Sequence, residues 1–540
     1  MEVASFTIGT ITAVGLIGQL FDGCVKAYAF FTSAKNLGRD SERLVCKIRI
    51  EEARLMAWGR EWGVVEGKLE AHLASGKGYN EGLKQLATSI LKQLHETITD
   101  FNKLQDRYGL REDPSNADEK GSARSLAPEP STSSRLRDEL KLRARWVISD
   151  RDKFGVLLAD LKDFNDGLER LFPPSRIASF QRTWTNELLQ TASRDMDQLS
   201  LLETASNGVY PQLNTFASLK QLRINLDERA LQPTKFKAST ALKIPKHRLT
   251  FTDGGGKRET AEYQKSHDEP LPQPVIIEWV DYEEGLDLDA RLVLYQRVDN
   301  LARMVHSASN RHPDLHTLDC AGYLDDSQNT RYGLIYKTPS DCGASEPLTL
   351  SSLILDSGVP TPDLGDRFRL AHTLSIALWS FHSLDWLHKT FCSENVLFFH
   401  GSKNLSYPYV TGFDSSRPDH LDEMTVGSSN DIGQDLYRHP DSLGVWRQSY
   451  RKSFDIYSLG LVLLEIGMWK SLKAFHKPKY TPIVFREKVM QSLVPGLGHK
   501  TGALYRDVVT ACLQSEEVTT SEGAGRLMEW VVLTLESLRA

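Results

Sequence analysis

Cysteine is scarce and scattered in this chain. The six, at positions 24, 46, 320, 342, 392 and 512, form no CxxC pair. That spacing points away from a structural zinc site and a disulfide framework, and toward a reduced intracellular compartment. Positive charge is not in excess either. A net charge of −6 supplies no global basic field, so nucleic acid is excluded as principal partner. What remains is a composition of 40% hydrophobic and 25% charged residues, enough apolar material for packed cores. The 540 residues predict roughly two to four domains.

Charge is missing altogether from Val3 to Phe21, VASFTIGTITAVGLIGQLF. Nineteen such residues come close to the length that crosses a bilayer as a helix. A secretory signal would want a basic start and a small-residue cleavage site, whereas here Glu2 precedes the run and Asp22 follows it. Ser5, Thr7, Thr10, Thr12 and Gln19 make the run softer than an ordinary span. Three readings stay open: a core helix of a soluble bundle, a constitutive anchor, or a helix buried at rest that enters lipid later. The third makes Val3, Phe6, Ile8, Ile11, Val14, Leu16, Ile17, Leu20 and Phe21 the candidate membrane-active face.

The first ~225 residues read as an all-α bundle. Leu44, Ile48, Leu55, Trp58 and Trp62 recur at helical spacing, as do Leu83, Leu86, Ile90, Leu94, Ile98, Phe101 and Leu104. Phe154, Leu157, Leu161, Phe164, Leu168 and Leu171 repeat the pattern and stop before Pro173 and Pro174, which end helices. Residues 111–134, with three prolines and no aromatic, predict a mobile loop inside it. A linker is expected over 226–246 and a second domain over 247–540. There, β-type runs at 248–252, 275–280 (VIIEWV) and 332–337 (YGLIYK) precede long apolar helices at 368–387 and 456–468. Strands first and helices second predict an α+β fold in two lobes.

Four landmarks in order give this second domain a resemblance to protein kinases. His388–Leu397, HKTFCSENVL, stands where a kinase has its catalytic loop, Gly412-Phe413-Asp414 where it has Asp-Phe-Gly, His439-Pro440-Asp441 where it has Ala-Pro-Glu, and Asp455–Gly460, DIYSLG, where the buried central helix begins. The departures matter more. The general base falls on Thr390, which accepts no proton as a carboxylate does. The preceding arginine falls on Lys389 and the following lysine on Cys392. The metal-binding aspartate falls on Gly412, and the phosphate-pairing lysine on Glu278, whose charge would repel phosphates. Asn395 and Asp414 remain as candidates for nucleotide or metal contact, with a structural bond to the catalytic-loop backbone as the alternative for Asn395, and the apolar region near Tyr336 is the candidate for adenine. His388, Phe413, Pro440 and Asp455 are expected to hold the fold. Asp253–Lys257, DGGGK, lacks the G-x-G-x-x-G spacing and predicts a hairpin turn. The resemblance implies a pseudokinase: no intact catalytic residue, no required cofactor, and doubtful binding of ATP and magnesium.

The N-terminal part resembles the HeLo domain of fungal HET-S incompatibility proteins. The resemblance rests on the apolar glycine-containing start, FDGCVKAYAFF at 21–31, Gly38-Arg39-Asp40 and ARLMAWG at 53–59. The layout, a helical bundle joined to a pseudokinase, is similar to that of the mixed-lineage-kinase-domain-like necroptosis effectors. These resemblances imply a regulated cell-death protein of the heterokaryon-incompatibility kind, cytoplasmic at rest and at the membrane once activated. Its implied partners are membrane, further copies of itself through the bundle, and an upstream sensor. An atypical active kinase and a cytosolic scaffold are the competing readings.

Overall fold

The computed structural model describes residues 15–32, 39–74, 79–100, 102–112, 146–174, 177–230, 241–252, 256–265, 272–282, 284–285, 287–309, 312–339, 347–358, 360–399, 405–413, 417–418, 432–443 and 448–538. The chain forms two compact units, Met1–Asn214 and Thr215–Ala540.

The first unit is helical: α1 (Leu16–Thr32), α2 (Arg39–Glu61), α3 (Lys68–Ala74), α4 (Tyr79–Thr99), α5 (Arg151–Leu171), α6 (Ile177–Ala192) and α7 (Met196–Ser206). α2 is its centre, packing against α1, α5, α6 and α7. The predicted face of α2 buries Ile48, Leu55 and Trp58. α5 starts where Asp150 accepts hydrogen bonds from the amides of Asp152 and Lys153, and it ends at Leu171, just before the two prolines. In α4 the buried stripe is Ala87, Leu91, Leu94 and Ile98, while Leu86 faces outward. The expected stripe was therefore rotated by about one residue at its start. β1 (Leu110–Glu112) pairs antiparallel with β2 (Trp146–Ile148), so residues 111 and 112 are strand instead of loop. The rest of the expected loop lies outside the described residues.

The unit boundary falls earlier than residue 225. Helix α8 (Pro211–Ala230) continues past it, and its Phe216, Leu219, Ile224 and Leu226 are buried. Lys220 lies almost wholly buried, with Nζ 2.9 Å from Asp385 Oδ2. Lys452 holds the other oxygen at 2.8 Å. Burial pushes the Asp385 carboxyl up, but the two ammonium groups outweigh it and bring the pKa down to about 2. These contacts place most of α8 in the second unit, so the expected linker is in part this docked helix.

The second unit opens with a five-stranded antiparallel sheet, β3 (Leu249–Phe251), β4 (Arg258–Tyr263), β5 (Gln273–Asp281), β6 (Cys320–Asp326) and β7 (Arg331–Lys337), in the order β3-β4-β5-β7-β6. α9 (Leu288–Ser309) connects β5 to β6 and packs on β6. The antiparallel pairing of β3 with β4 fits the hairpin expected around the glycines, of which 253–255 lie outside the described residues. The helical part follows: α10 (Leu364–Ser383), α11 (Lys452–Met468), α12 (Pro482–Lys488), α13 (Val494–Thr501), α14 (Ala503–Leu513) and α15 (Ser521–Ser537). α11 is buried from Lys452 to Gly467 and packs on α10, α13, α14 and α15. A helix that is apolar all round must sit inside, and this one does.

Candidate functional site

Glu278 stands in the middle of an apolar strand, on β5, and is 0% exposed. An ionised carboxylate in such a place needs a cation and hydrogen bonds. The sheet register supplies the cation, because Arg258 on β4 lies directly opposite Glu278. Arg258 Nε and Nη2 donate to Glu278 Oε1 at 3.1 and 2.8 Å. The same guanidinium reaches across to the segment expected as catalytic loop. Nη2 donates to Asn395 Oδ1 at 2.6 Å and Thr411 Oγ1 at 2.9 Å, and Nη1 to the Glu394 carbonyl at 2.9 Å. Glu278 Oε2 accepts from the Gly412 amide at 3.1 Å. Burial raises the Glu278 pKa, yet Arg258, Lys257 and the Gly412 amide together hold it below the usual carboxylate range.

This arrangement changes the role expected of Glu278. It is no bare charge facing phosphates, because its own arginine neutralises it. Asn395 takes the structural one of its two expected roles, its Oδ1 accepting from Arg258 and its Nδ2 donating to the Thr390 carbonyl at 2.7 Å. Thr390 donates in turn to the Gly412 carbonyl at 2.6 Å. Gly412 has φ +85, and a Cβ there would collide with the Asn395 side chain. An aspartate is thus incompatible with position 412 twice over, by backbone and by space. Asp414 lies outside the described residues. Tyr336 is buried at the end of β7, opposite Ile276 and Cys320.

Of the four residues expected to hold the fold, His388, Phe413 and Asp455 form one buried cluster, while Pro440 stands apart and half-buried. Asp455 Oδ2 and Oδ1 accept from the amides of His388 and Lys389, each at 2.8 Å, and Tyr450 donates to Oδ1 at 2.8 Å. Lys389 has φ +71, a strained conformation that these bonds hold in place. His388 Nε2 meets the Thr411 carbonyl at 3.0 Å. The ring of Phe413 packs among Phe381, Trp386 and His388, with centroids 5.1–5.5 Å apart. Pro440 opens a single 3-10 turn, over which His439 Nδ1 accepts from the Asp441 amide at 3.2 Å. Among the described residues no group of three or more His, Cys, Asp or Glu side chains is arranged to hold a metal.

His439 also yields a pH prediction. It is buried and stacked on Phe454 at 4.7 Å, and burial lowers its pKa to about 4. The unfolded chain binds this proton near pH 6.5, so the fold loses stability as pH falls from about 6.5 toward 4. Melting temperature against pH should therefore fall less steeply across that window in His439→Gln than in the parent; equal slopes would contradict this.

At the other end, α1 begins at Leu16, so Val3, Phe6, Ile8, Ile11 and Val14 of the candidate membrane face lie outside the described residues. Ile17 is 1% exposed, Phe21 is also buried and Leu20 half-buried, whereas Leu16 is 54% exposed. A Cβ at Gly59 would run into the Phe21 ring. The two motifs FDG and ARLMAWG therefore meet, the glycine of one opening room for the phenylalanine of the other. α1 also carries the pair Asp22–Lys26, and no helix among the described residues is long and apolar enough to cross a membrane.

Arg258 is the residue that sequence reasoning missed. The signal was present: a glutamate within an apolar strand demands a cation, and Arg258 begins the strand next door with Lys257 just before it.

Residues 9–202 match the HeLo family, described as Prion-inhibition and propagation. Residues 283–524 match a Domain of unknown function (DUF7580). Heterokaryon incompatibility protein S of Podospora anserina is 24% identical over 223 residues, covering 38% of this chain and 72% of that protein. The N-terminal part of the chain is thus a HeLo domain, and the C-terminal match assigns no activity.

Proposed function

We propose that this chain is a regulated cell-death effector of the heterokaryon-incompatibility kind. Its N-terminal bundle permeabilises membranes, and its C-terminal domain, a degenerate protein-kinase-like fold, restrains that action without transferring phosphoryl groups. The observation that carries the reading is the HeLo match over 9–202, together with the named incompatibility relative. The strand order β3-β4-β5-β7-β6 with α9 between β5 and β6, and the grip of Asp455 on the His388–Lys389 backbone, support a kinase-like scaffold. The Arg258 clamp supports the loss of catalysis: positions 278, 395 and 412, which would serve phosphates and metal in an active kinase, are tied together, 278 to 395 through Arg258 and 278 to the Gly412 amide. ATP and magnesium are therefore not needed. The partners in this reading are membrane on activation, further copies through the bundle, and an upstream sensor; the resting protein is cytoplasmic.

The test is expression in fungal cells of residues 1–214, the compact first unit, beside the full chain. Stopping at 214 keeps the buried face of α8 out of solvent. The fragment should kill without any trigger and the full chain should be tolerated. A harmless fragment would remove the reading.

A further inference from the structure

The start of α12 and the turn before it form a surface that neither domain match assigns. From Lys470 to Lys488 the chain carries six basic residues and a single acidic one, Glu487, within a protein of net charge −6. Two of the six are engaged, Lys473 with Glu394 and Arg486 with Glu516. Lys477 and Lys479 are exposed and make no ion pair among the described residues. A turn holds them forward: the Tyr480 amide donates to the Lys477 carbonyl at 2.9 Å, with Pro478 fixing φ at the second position. The turn is anchored from beneath, because the His476 ring meets Tyr480 and the buried Phe485 edge-on, at 6.2 and 5.3 Å. Thr481 then caps α12 by accepting from the Val484 amide. The first turn of α12 leaves Ile483 62% and Val484 41% exposed.

A lone exposed aliphatic is ordinary. Two adjacent ones beside a held pair of lysines join the two forces that bind a protein to a lipid surface, apolar burial at the headgroup boundary and attraction to anionic lipid. We propose that residues 477–484 are a peripheral membrane-contact surface for anionic phospholipid, with Ile483 and Val484 entering the headgroup region and Lys477 and Lys479 meeting the lipid charge. The occupant follows from charge complementarity, since this short stretch is strongly basic where the whole chain is acidic. The inference stands apart from the permeabilising role of the bundle, being a matter of binding and not of leakage.

The test is co-sedimentation of the full-length protein with vesicles of phosphatidylcholine, with and without phosphatidylserine. Binding should require phosphatidylserine and weaken with salt. Each lysine near the surface contributes about fivefold, so Lys477→Gln with Lys479→Gln should bind about 25-fold more weakly at an unchanged melting temperature. Ile483→Ser should also weaken binding while leaving charge untouched. The proposal is overturned if the double variant sediments like the parent, or if neutral vesicles bind equally. It is also overturned if soluble polyglutamate captures the protein through these lysines while vesicles do not, which would make the surface a dock for an acidic protein. Failure here leaves cell killing by the bundle standing, and a harmless bundle leaves this binding standing.

Discussion

Arg258→Ala should destabilise the protein by about 3–5 kcal/mol and still leave phosphoryl transfer undetectable. Removing the guanidinium strands Glu278 in a dry site and leaves Asn395 Oδ1, Thr411 Oγ1 and the Glu394 carbonyl without their donor. The cost is that of an uncompensated buried charge, so it should shrink when both partners go. Arg258→Met with Glu278→Leu is expected to melt close to the parent. The sign with pH follows from the lowered Glu278 pKa: the clamp's contribution is complete above the unfolded value near 4.3 and is lost as pH falls through the lower folded value. Returning kinase-type residues would not restore chemistry. Glu278→Lys sets a third cation beside Arg258 and Lys257, and Gly412→Asp collides with Asn395. Labelled phosphate transferred by the parent, and abolished by Asn395→Ala, would overturn the non-catalytic reading.

Leu16→Arg should silence killing without unfolding the bundle. If the charge-free run 3–21 enters lipid as a helix, Leu16 lies in its interior, where a cationic or acidic residue costs up to roughly 2.5–3.5 kcal/mol on insertion scales. The cost in the folded protein is small, because Leu16 is mostly exposed and surface changes usually stay within about 0.5 kcal/mol. Ile17→Ala is the counterpart. It removes a fully buried side chain, typically at about 2–5 kcal/mol, yet keeps the run uncharged. If α1 acts in lipid, Ile17→Ala should kill as well as the parent or better, because the resting bundle is looser. Activities that track the melting temperatures of both variants would reduce the run 3–21 to a core segment.

Much of the architecture was legible because the signals were local. α5 declared itself by periodicity, by Asp150 as cap and by the prolines at 173 and 174. β5 and β7 declared themselves as VIIEWV and YGLIYK. The early turns of α4 were read one residue off, because Leu86 is apolar while Ala87, which faces the core, carries a weak signal. The unit boundary was read late, since α8 runs through it unbroken and only its contacts, Lys220 with Asp385 above all, say which unit holds it.

The sequence singled out the individual positions of the site but not the contacts that join them. Thr390, Gly412 and Glu278 stood out against the kinase pattern one position at a time. The clamp depends instead on strand register, which brings Arg258 opposite Glu278 across twenty residues of chain, and on a reach of well over a hundred to Asn395. Nothing local encodes such a pairing. The meeting of Phe21 with Gly59 is of the same kind: each motif was visible, and their contact was not.

The central claim, that a non-catalytic domain restrains a membrane-acting bundle, is tested most directly by dye release from vesicles with purified proteins. Residues 1–214 should empty the vesicles, the full chain should release little, and the fragment carrying Leu16→Arg should be silent at an unchanged melting temperature. Equal release by full chain and fragment, or full release by the arginine fragment, would contradict it.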